Sequence, residues 1–589
     1  MKKRVPLLTS NFATLVSVNG YFVDKTGFIE TLEGLNFTYI FYLRPRGFGK
    51  SLTLSMLEYY YGVQYQARFD ELFGQYYIGK PENITPRRNS YYILRFNFSG
   101  SKAKSSADIE TEFYTEVRSQ ILSFLDTYSL GSIAERSVFL SDASLREPLS
   151  DLISLFRQYV PHGKIYLLID EYDKYLNGLF DSSPETLEKT FISFAWVKTF
   201  YAIIKIYMGE GIIDRFFATG TFPVTLDGMT SGFNVAHNLT LQPDFHNMAG
   251  FTEAELRGMI ENTIYEEGKF DIDAVVTDMR AWYNGSRFSA DATERLYNPQ
   301  MVISFLSRFS NNFTYPREMA DINVTSDYKK ISNILAPLSN EESDEIISSV
   351  LENDGFTERL TIQYNFELPY TRTEAVSLLF YNGLLTIESA VINSYNYVIP
   401  NYVIKQMYWE FFKNRFTMEK QLRYDATKID RAIIQMFMEG KIDQLVEYVH
   451  SILKNLSNRD LQKFNEKNIK MIFMTLLMDN NAYFVKSEHE NAEGYADLLL
   501  IPTKLNPGTD NFLLELKYLK KSSKENLQTE KAKAIEQVKN YKTELESEGI
   551  VCKTYAIIFV GKSGYEVAEV GDGPPRGSMK YDPPRRNEV

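Results

Sequence analysis

Between residues 38 and 230, four apolar runs, TYIFYL, YYILRFNF, KIYLLID and RFFATG, are separated by longer stretches with helical spacing, such as SLTLSMLEYYYG and SSADIETEFYTEVRSQILSFL. Short, almost continuously apolar strands are buried on both faces, and their alternation with helices predicts a parallel sheet covered by helices. From 251 to 460 the spacing becomes helical, as in TEAVSLLFYNGLL and KIDQLVEYVHSILKNL, with LLTIE and NYVIP as the brief strand candidates. From 461 to 565 a second α/β pattern follows. It begins with the helix NEKNIKMIFMTLLMD, continues through the strands YFVKSE, GYADLLLIP and NFLLELKYL and a Lys/Glu-rich helix, and ends in the strand KTYAIIFV. The expected α/β organisation is a parallel-sheet domain over 1–250, a helical middle region over 251–460 and a smaller α/β domain over 461–565. Residues 566–589 are rich in Pro, Gly and charge, which predicts a flexible tail.

A chain of 589 residues with 44% hydrophobic content supports several cores. Its net charge of -12 excludes a protein that coats nucleic acid indiscriminately, so such contact needs a local basic surface. A single cysteine, Cys552, excludes an internal disulfide and a cysteine zinc site, and the five histidines show no close ligand spacing. The start MKKRVPLLTSNFATL lacks the apolar run of a signal peptide, and no later stretch is long and apolar enough for a membrane span. A soluble cytoplasmic protein with no membrane partner is expected.

The octapeptide RPRGFGKS, residues 44–51, stands between the first strand and a helix. A phosphate cradle needs inward backbone N–H groups, glycines that let the chain curl, a lysine for the β/γ oxygens and a hydroxyl for Mg²⁺. Gly47, Gly49, Lys50 and Ser51 supply these parts in the manner of a Walker A loop, with Arg46, Phe48 and Leu52 completing the candidate contacts. The pattern GxxxxGK[ST] has glycine where Arg44 stands, and a strand-to-helix turn with a chance lysine is the alternative reading. KIYLLIDEYD decides for the cradle, because it brings Asp170 and Glu171 to the end of an apolar strand, the Walker B-like arrangement that completes a metal shell and activates water. Thr219 and Thr221, at the end of RFFATGTF, carry hydroxyls suited to sensing a γ-phosphate.

Near the C-terminus, GYADLLLIP contributes Asp497, and LLELKYL places Glu515 and Lys517 two apart on one strand face. A Glu and a Lys on the buried face of an apolar strand are costly unless paired or functional. Metal-assisted phosphodiester hydrolysis needs such carboxylates and a lysine. A salt-bridged sheet edge is the alternative. The lysines 520, 521, 524, 531, 533, 539 and 542 follow, interleaved with glutamates, as a solvated helix face or a partial phosphate-binding surface.

The blocks YFVDKTGFI, RPRGFGKSLTLSML, LLIDEYDK, ATGTFPVTLDGMTSGFN, NLTLQPDFHNMAGFTEAEL and WYNGSRFS…LYNPQMVISFL resemble, in order, the bacterial AAA-ATPase-like family that carries a C-terminal PD-(D/E)XK nuclease domain. In that family an arginine in place of the first glycine of the loop is usual, and so is an arginine where this chain has Gly47. The resemblance implies an N-terminal P-loop, AAA-like fold and ATP as the nucleotide, and no guanine-reading NKxD element follows. It implies Asp497 and Glu515 as metal ligands and Lys517 as the catalytic lysine, with Glu490, Glu466 and the Gln537–Tyr541 pair as further members of the nuclease pattern. Asp24 and Lys25 are expected near the adenine, at a subunit neighbour or in a surface turn, and Arg287 as a γ-phosphate contact or a packing residue.

The expected function is an ATP-dependent nucleic-acid-processing or defence enzyme using ATP and Mg²⁺. Glu171 would activate water, and Asp497, Glu515 and Lys517 would act on nucleic acid, DNA being the expected substrate. RNA, strandedness and a homo-oligomeric state stay open. The alternative is a nucleotide-switched binding module with an inactive nuclease fold.

Overall fold

A computed structural model describes residues 2–99, 106–137, 139, 148–174, 195–223, 236–320, 328–352, 355–364, 369–420, 425–456, 464–478, 482–491, 494–504, 510–520, 524–571 and 576–581. The N-terminal sheet consists of β1 (Tyr39–Leu43), β2 (Tyr92–Asn97), β3 (Ile165–Asp170), β4 (Ile213–Gly220) and β5 (His237–Asn238) in the order β2-β3-β4-β1-β5, and every pairing is parallel. β3 is buried at all six positions, as a central parallel strand with helices on both faces must be. The register sets Asn97 beside Asp170 and Tyr42 beside Thr219, so the ends of β1, β3 and β4 meet at one rim of the sheet.

The middle region runs through helices from Glu253–Thr263 to Asp443–Asn455, with Pro299–Phe309 and Tyr402–Lys420 among them. Thr252 and Glu255 form a capping box on the first, satisfying N–H groups that the helix leaves unpaired. LLTIE and NYVIP fall on a three-stranded antiparallel sheet of β6 (Phe356–Glu358), β7 (Thr386–Val391) and β8 (Ser394–Val398).

The C-terminal sheet has six strands: β9 (Tyr483–Asn491), β10 (Gly494–Pro502), β11 (Asn511–Leu519), β12 (Cys552–Val560), β13 (Gly564–Glu569) and β14 (Arg576–Tyr581), in the order β14-β13-β12-β11-β10-β9. Only β11 and β12 run parallel, and the Lys524–Ser547 helix makes the crossover between them. The flexible tail expected from 566 is corrected over 566–569 and 576–581, residues 572–575 and 582–589 of it lying outside the described residues. β13 continues to Glu569, paired with Tyr555–Val560, and β14 pairs with β13, because an antiparallel edge needs backbone partners more than apolar side chains.

Candidate active sites

The turn between β1 and the Lys50–Tyr61 helix is left-handed at Gly47 (φ +82°) and at Gly49 (φ +93°), the residue that caps the helix. At Gly49 a Cβ would meet nothing within 4 Å, so the backbone there faces open space. The turn borders a cavity of about 480 Å³ whose walls include Arg46 to Leu52, Glu171, Lys25 and the N-terminal residues Pro6 to Ser10. Lys50 folds back on the turn, donating from Nζ to the carbonyls of Arg44 (2.7 Å) and Pro45 (3.1 Å). Burial pushes its pKa down, opposed by the nearby Asp173, Glu171 and Asp170.

Arg44, in the place of the usual glycine, is 1% exposed and belongs to the scaffold. Its guanidinium donates to the carbonyls of Leu43 (2.8 Å), Thr240, Phe245 and His246 (3.0 Å each), and lies 4.3 Å from the ring centres of both Tyr42 and Phe288. The segment after β5 is thereby fastened to the base of the turn. Phe48 is also buried, edge-on to Phe288 at 5.2 Å.

Asn298 and Gln300 carry no role in the sequence reading. Asn298 caps the Pro299–Phe309 helix and donates to the Arg46 carbonyl (3.1 Å), while the Gln300 N–H donates to the Gly47 carbonyl (3.2 Å). A Cβ at Gly47 would stand 2.8 Å from Asn298 Oδ1 and 2.9 Å from Gln300 Oε1, so these side chains crowd this position. The Asn-Pro pair, a helix-start signature, was the available signal.

Asp170 is buried, and its Oδ1 accepts from the Thr219 hydroxyl at 3.1 Å. Glu171 lines the cavity with a left-handed backbone (φ +53°), strain of the kind found at functional positions. Asp173, also unassigned from sequence, accepts from the N–H groups of Thr221 (3.0 Å) and Phe222 (2.9 Å) and so ties the ends of β3 and β4 together. Lys25 bridges Glu255 (2.6 Å) and the Asn247 carbonyl (2.7 Å) at the cavity wall, and Asp24 closes a turn through Thr26 and Tyr77. Arg287 is a packing residue, donating to the carbonyls of Ser289, Ala290 and Glu388. Residues 224–234 of the ATGTFPVTLDGMTSGFN block lie outside the described residues.

In the C-terminal sheet the ladder between β10 and β11 ends at Leu498–Leu514. One step further, Asp497 Oδ2 accepts from the Leu516 N–H at 2.8 Å, a side chain substituting for the next ladder bond. Glu515 is 2% exposed. Its Oε1 accepts from Lys517 Nζ at 2.8 Å, and its Oε2 is buried without a hydrogen-bond partner. Lys517 also pairs with Glu466 at 3.1 Å, which brings the start of the Glu466–Met478 helix to the site.

Burial raises both carboxyls, Asp497 to about 6 and Glu515 to about 7, and the second is raised further by the first. The two titrate as a pair. Burial works against the Lys517 ammonium, but Glu515, Glu466 and Asp497 outweigh it and hold its pKa above the usual value.

Gln537 is exposed, whereas Tyr541 is buried with Leu499 and Leu513, which lie two residues along their strands from Asp497 and Glu515. Glu490 pairs through its backbone with Tyr495, and its side chain lies outside the described residues. Lys521 lies outside them too, and Lys531, Lys533 and Lys542 are paired with Glu566, Glu530 and Glu546. Among the described residues no cluster of three His, Cys, Asp or Glu side chains forms a metal site. Asp497 and Glu515 still fit a divalent cation, since an orphaned buried carboxylate oxygen calls for a positive partner. At the N-terminal site, the open glycine backbone and the Lys50 amine fit a nucleotide phosphate chain. Among the described residues no helix is long and apolar enough to cross a membrane.

Comparison with known proteins gives two regional matches and one relative. Residues 6–230 match a family described as predicted AAA-ATPase, and residues 464–569 match the PD-(D/E)XK nuclease superfamily. An uncharacterized protein in the vnfD 5' region of Azotobacter chroococcum mcd 1 is 25% identical over 321 residues, 52% of this chain and 52% of that protein. The chain thus spans about half the length of the curated relative it matches. Strands β1 to β4 of the parallel sheet, with the glycine turn, lie within the region that matches the predicted AAA-ATPase family, and Asp497, Glu515 and Lys517 of the mixed sheet lie within the region that matches the PD-(D/E)XK nuclease superfamily.

Proposed function

We propose that the protein binds and hydrolyses ATP at the Arg46–Leu52 turn and that its nucleotide state governs Mg²⁺-dependent cleavage of nucleic acid, DNA in the first instance, at Asp497, Glu515 and Lys517, in nucleic-acid processing or defence. Lys50 would leave the Arg44 and Pro45 carbonyls for the phosphates. Ser51 and Asp170 would hold the metal, Thr219 would keep Asp170 oriented and Glu171 would take the proton of the attacking water. At the second site Asp497 and Glu515 would hold a metal whose chemistry is to polarise the phosphate and acidify water, while Lys517 stabilises charge on the phosphate.

The observation that carries the cleavage reading is Glu515. A buried carboxylate with one unpartnered oxygen, beside Asp497 and bonded to a lysine, is poorly explained as a stabilising pair. Communication between the sites is supported by the Tyr402–Lys420 helix. Ile404 and Met407 share a small cavity with Pro45, Arg46 and Phe48 behind the phosphate turn. At the start of the same helix the Tyr402 hydroxyl donates to the Tyr483 carbonyl (2.9 Å) and accepts from the Val485 N–H (3.2 Å) of β9.

The test is a cleavage assay on duplex and single-stranded DNA and RNA, with Mg²⁺ or Mn²⁺ and with or without ATP. The parent is compared with Lys50→Ala and Asp497→Ala. Lys50→Ala should lose ATP turnover, and Asp497→Ala should lose cleavage but keep ATP binding. Cleavage surviving in Asp497→Ala removes the second site from the reading, and unchanged ATP turnover in Lys50→Ala removes the first. Binding without products in the parent would favour the nucleotide-switched binding module.

A further inference from the structure

Arg95 lies on β2, two residues before Asn97, the register partner of Asp170. Its guanidinium reaches both elements of the nucleotide site. One nitrogen is 2.7 Å from Glu58 Oε2 on the Lys50–Tyr61 helix, and the other is 3.7 Å from Asp170 Oδ2. The Asp170 side chain is 3% exposed and those of Arg95 and Glu58 are 24% and 19%, so these charges interact with limited screening by solvent. The two oxygens of Asp170 therefore have different partners, the neutral Thr219 hydroxyl on Oδ1 and a cation beside Oδ2. A divalent ion approaching Asp170 meets a carboxylate already partly compensated by that cation.

We propose that Arg95 is a positioning residue that competes with the metal for Asp170 and so sets the Mg²⁺ concentration at which nucleotide is held; this rests on the nucleotide site proposed above. In the nucleotide-free protein Arg95 compensates the buried carboxylate and links β3 to the phosphate-turn helix through Glu58. When the cation arrives, the Arg95 charge shifts toward Glu58, which already holds it at the shorter distance. A residue that merely pins the helix to the strand would change stability without altering metal dependence.

Binding of a fluorescent ATP analogue to the full chain, followed by anisotropy across a Mg²⁺ series at constant ionic strength, separates the two roles. The Mg²⁺–nucleotide equilibrium in solution is common to all variants, so differences in midpoint belong to the protein. Arg95→Met should lower the Mg²⁺ midpoint by roughly tenfold, the effect of removing a unit charge a few ångströms from a divalent site in a partly screened setting. Arg95→Lys should stay near the parent. Glu58→Gln removes the alternative partner and should raise the midpoint, which keeps the test usable if Arg95→Met fails to fold. A midpoint unchanged or raised in Arg95→Met, or unchanged in Glu58→Gln, overturns the assignment while binding stays sensitive to Lys50→Ala. A parent protein that binds nucleotide at no Mg²⁺ concentration defeats the underlying site, and this inference with it.

Discussion

Replacing Arg44 by glycine restores the residue that the phosphate-loop pattern asks for, yet the structure requires that it damage the protein. The guanidinium satisfies carbonyls of Thr240, Phe245 and His246 across a segment remote in sequence. The Phe245 oxygen keeps the Tyr42 hydroxyl at 3.2 Å, but Thr240 and His246 lose this donor. An orphaned buried acceptor costs about 1–3 kcal/mol, and losing the contacts to the Tyr42 and Phe288 rings adds about 1 kcal/mol. Relief of a guanidinium buried without a carboxylate partner offsets part of this, whereas the emptied volume adds to it. The balance is about 3–5 kcal/mol, or roughly 6–20 °C in the melting of a unit of 150–250 residues. Thermal melting of Arg44→Gly, followed by tyrosine fluorescence and paired with nucleotide binding, measures this. A variant that melts with the parent and binds nucleotide as well or better would refute the clamp.

Three further outcomes follow from the geometry. Gly47→Ala forces a side chain into a left-handed position and against Asn298 and Gln300, at a cost of about 1–2 kcal/mol; nucleotide affinity should fall, and a titration showing none of that loss would mean the turn relaxes freely. Asp497 and Glu515 have pKa values raised by burial to about 6 and 7, so the folded state favours their protonated forms. The metal-free protein should lose stability as pH rises from the usual carboxylate range through 7, while metal binding should strengthen over the same interval. The rise in melting temperature on adding Mn²⁺ should therefore be larger at pH 8 than at pH 5.5 and be lost in Asp497→Asn; an equal rise at both values would contradict the shifts. Tyr402→Phe should leave ATP turnover intact but reduce the effect of ATP on cleavage, and full retention of that effect would remove the Tyr402–Lys420 helix as the link.

What the sequence displayed is what short-range physics writes into it. The unbroken apolar run of β3 has one comfortable environment, a central parallel strand, and its terminal Asp170 lands at the rim where β1 delivers the glycine turn. The alternation in LLELKYL likewise put Glu515 and Lys517 side by side. Other parts were hidden because they depend on distant partners. Arg44 becomes a clamp only when the carbonyls after β5 surround it, and Arg95 looks like any strand residue until Glu58 and Asp170 arrive from other elements. β14 was obscured because its composition resembles linker, while its stability comes from backbone pairing to β13.

The Tyr402 hydroxyl, wedged between the Tyr483 carbonyl and the Val485 amide, has a practical consequence for anyone wishing to dissect this molecule. The rings of Trp282, Tyr402 and Phe484 pack against one another there, Tyr402 edge-on to both others, and one apolar cluster runs from Phe12 to Val567. A fragment starting near 464 would carry a greasy wound where those rings had been. It should come out of expression hosts as aggregate unless the helices that covered it are supplied on a companion polypeptide.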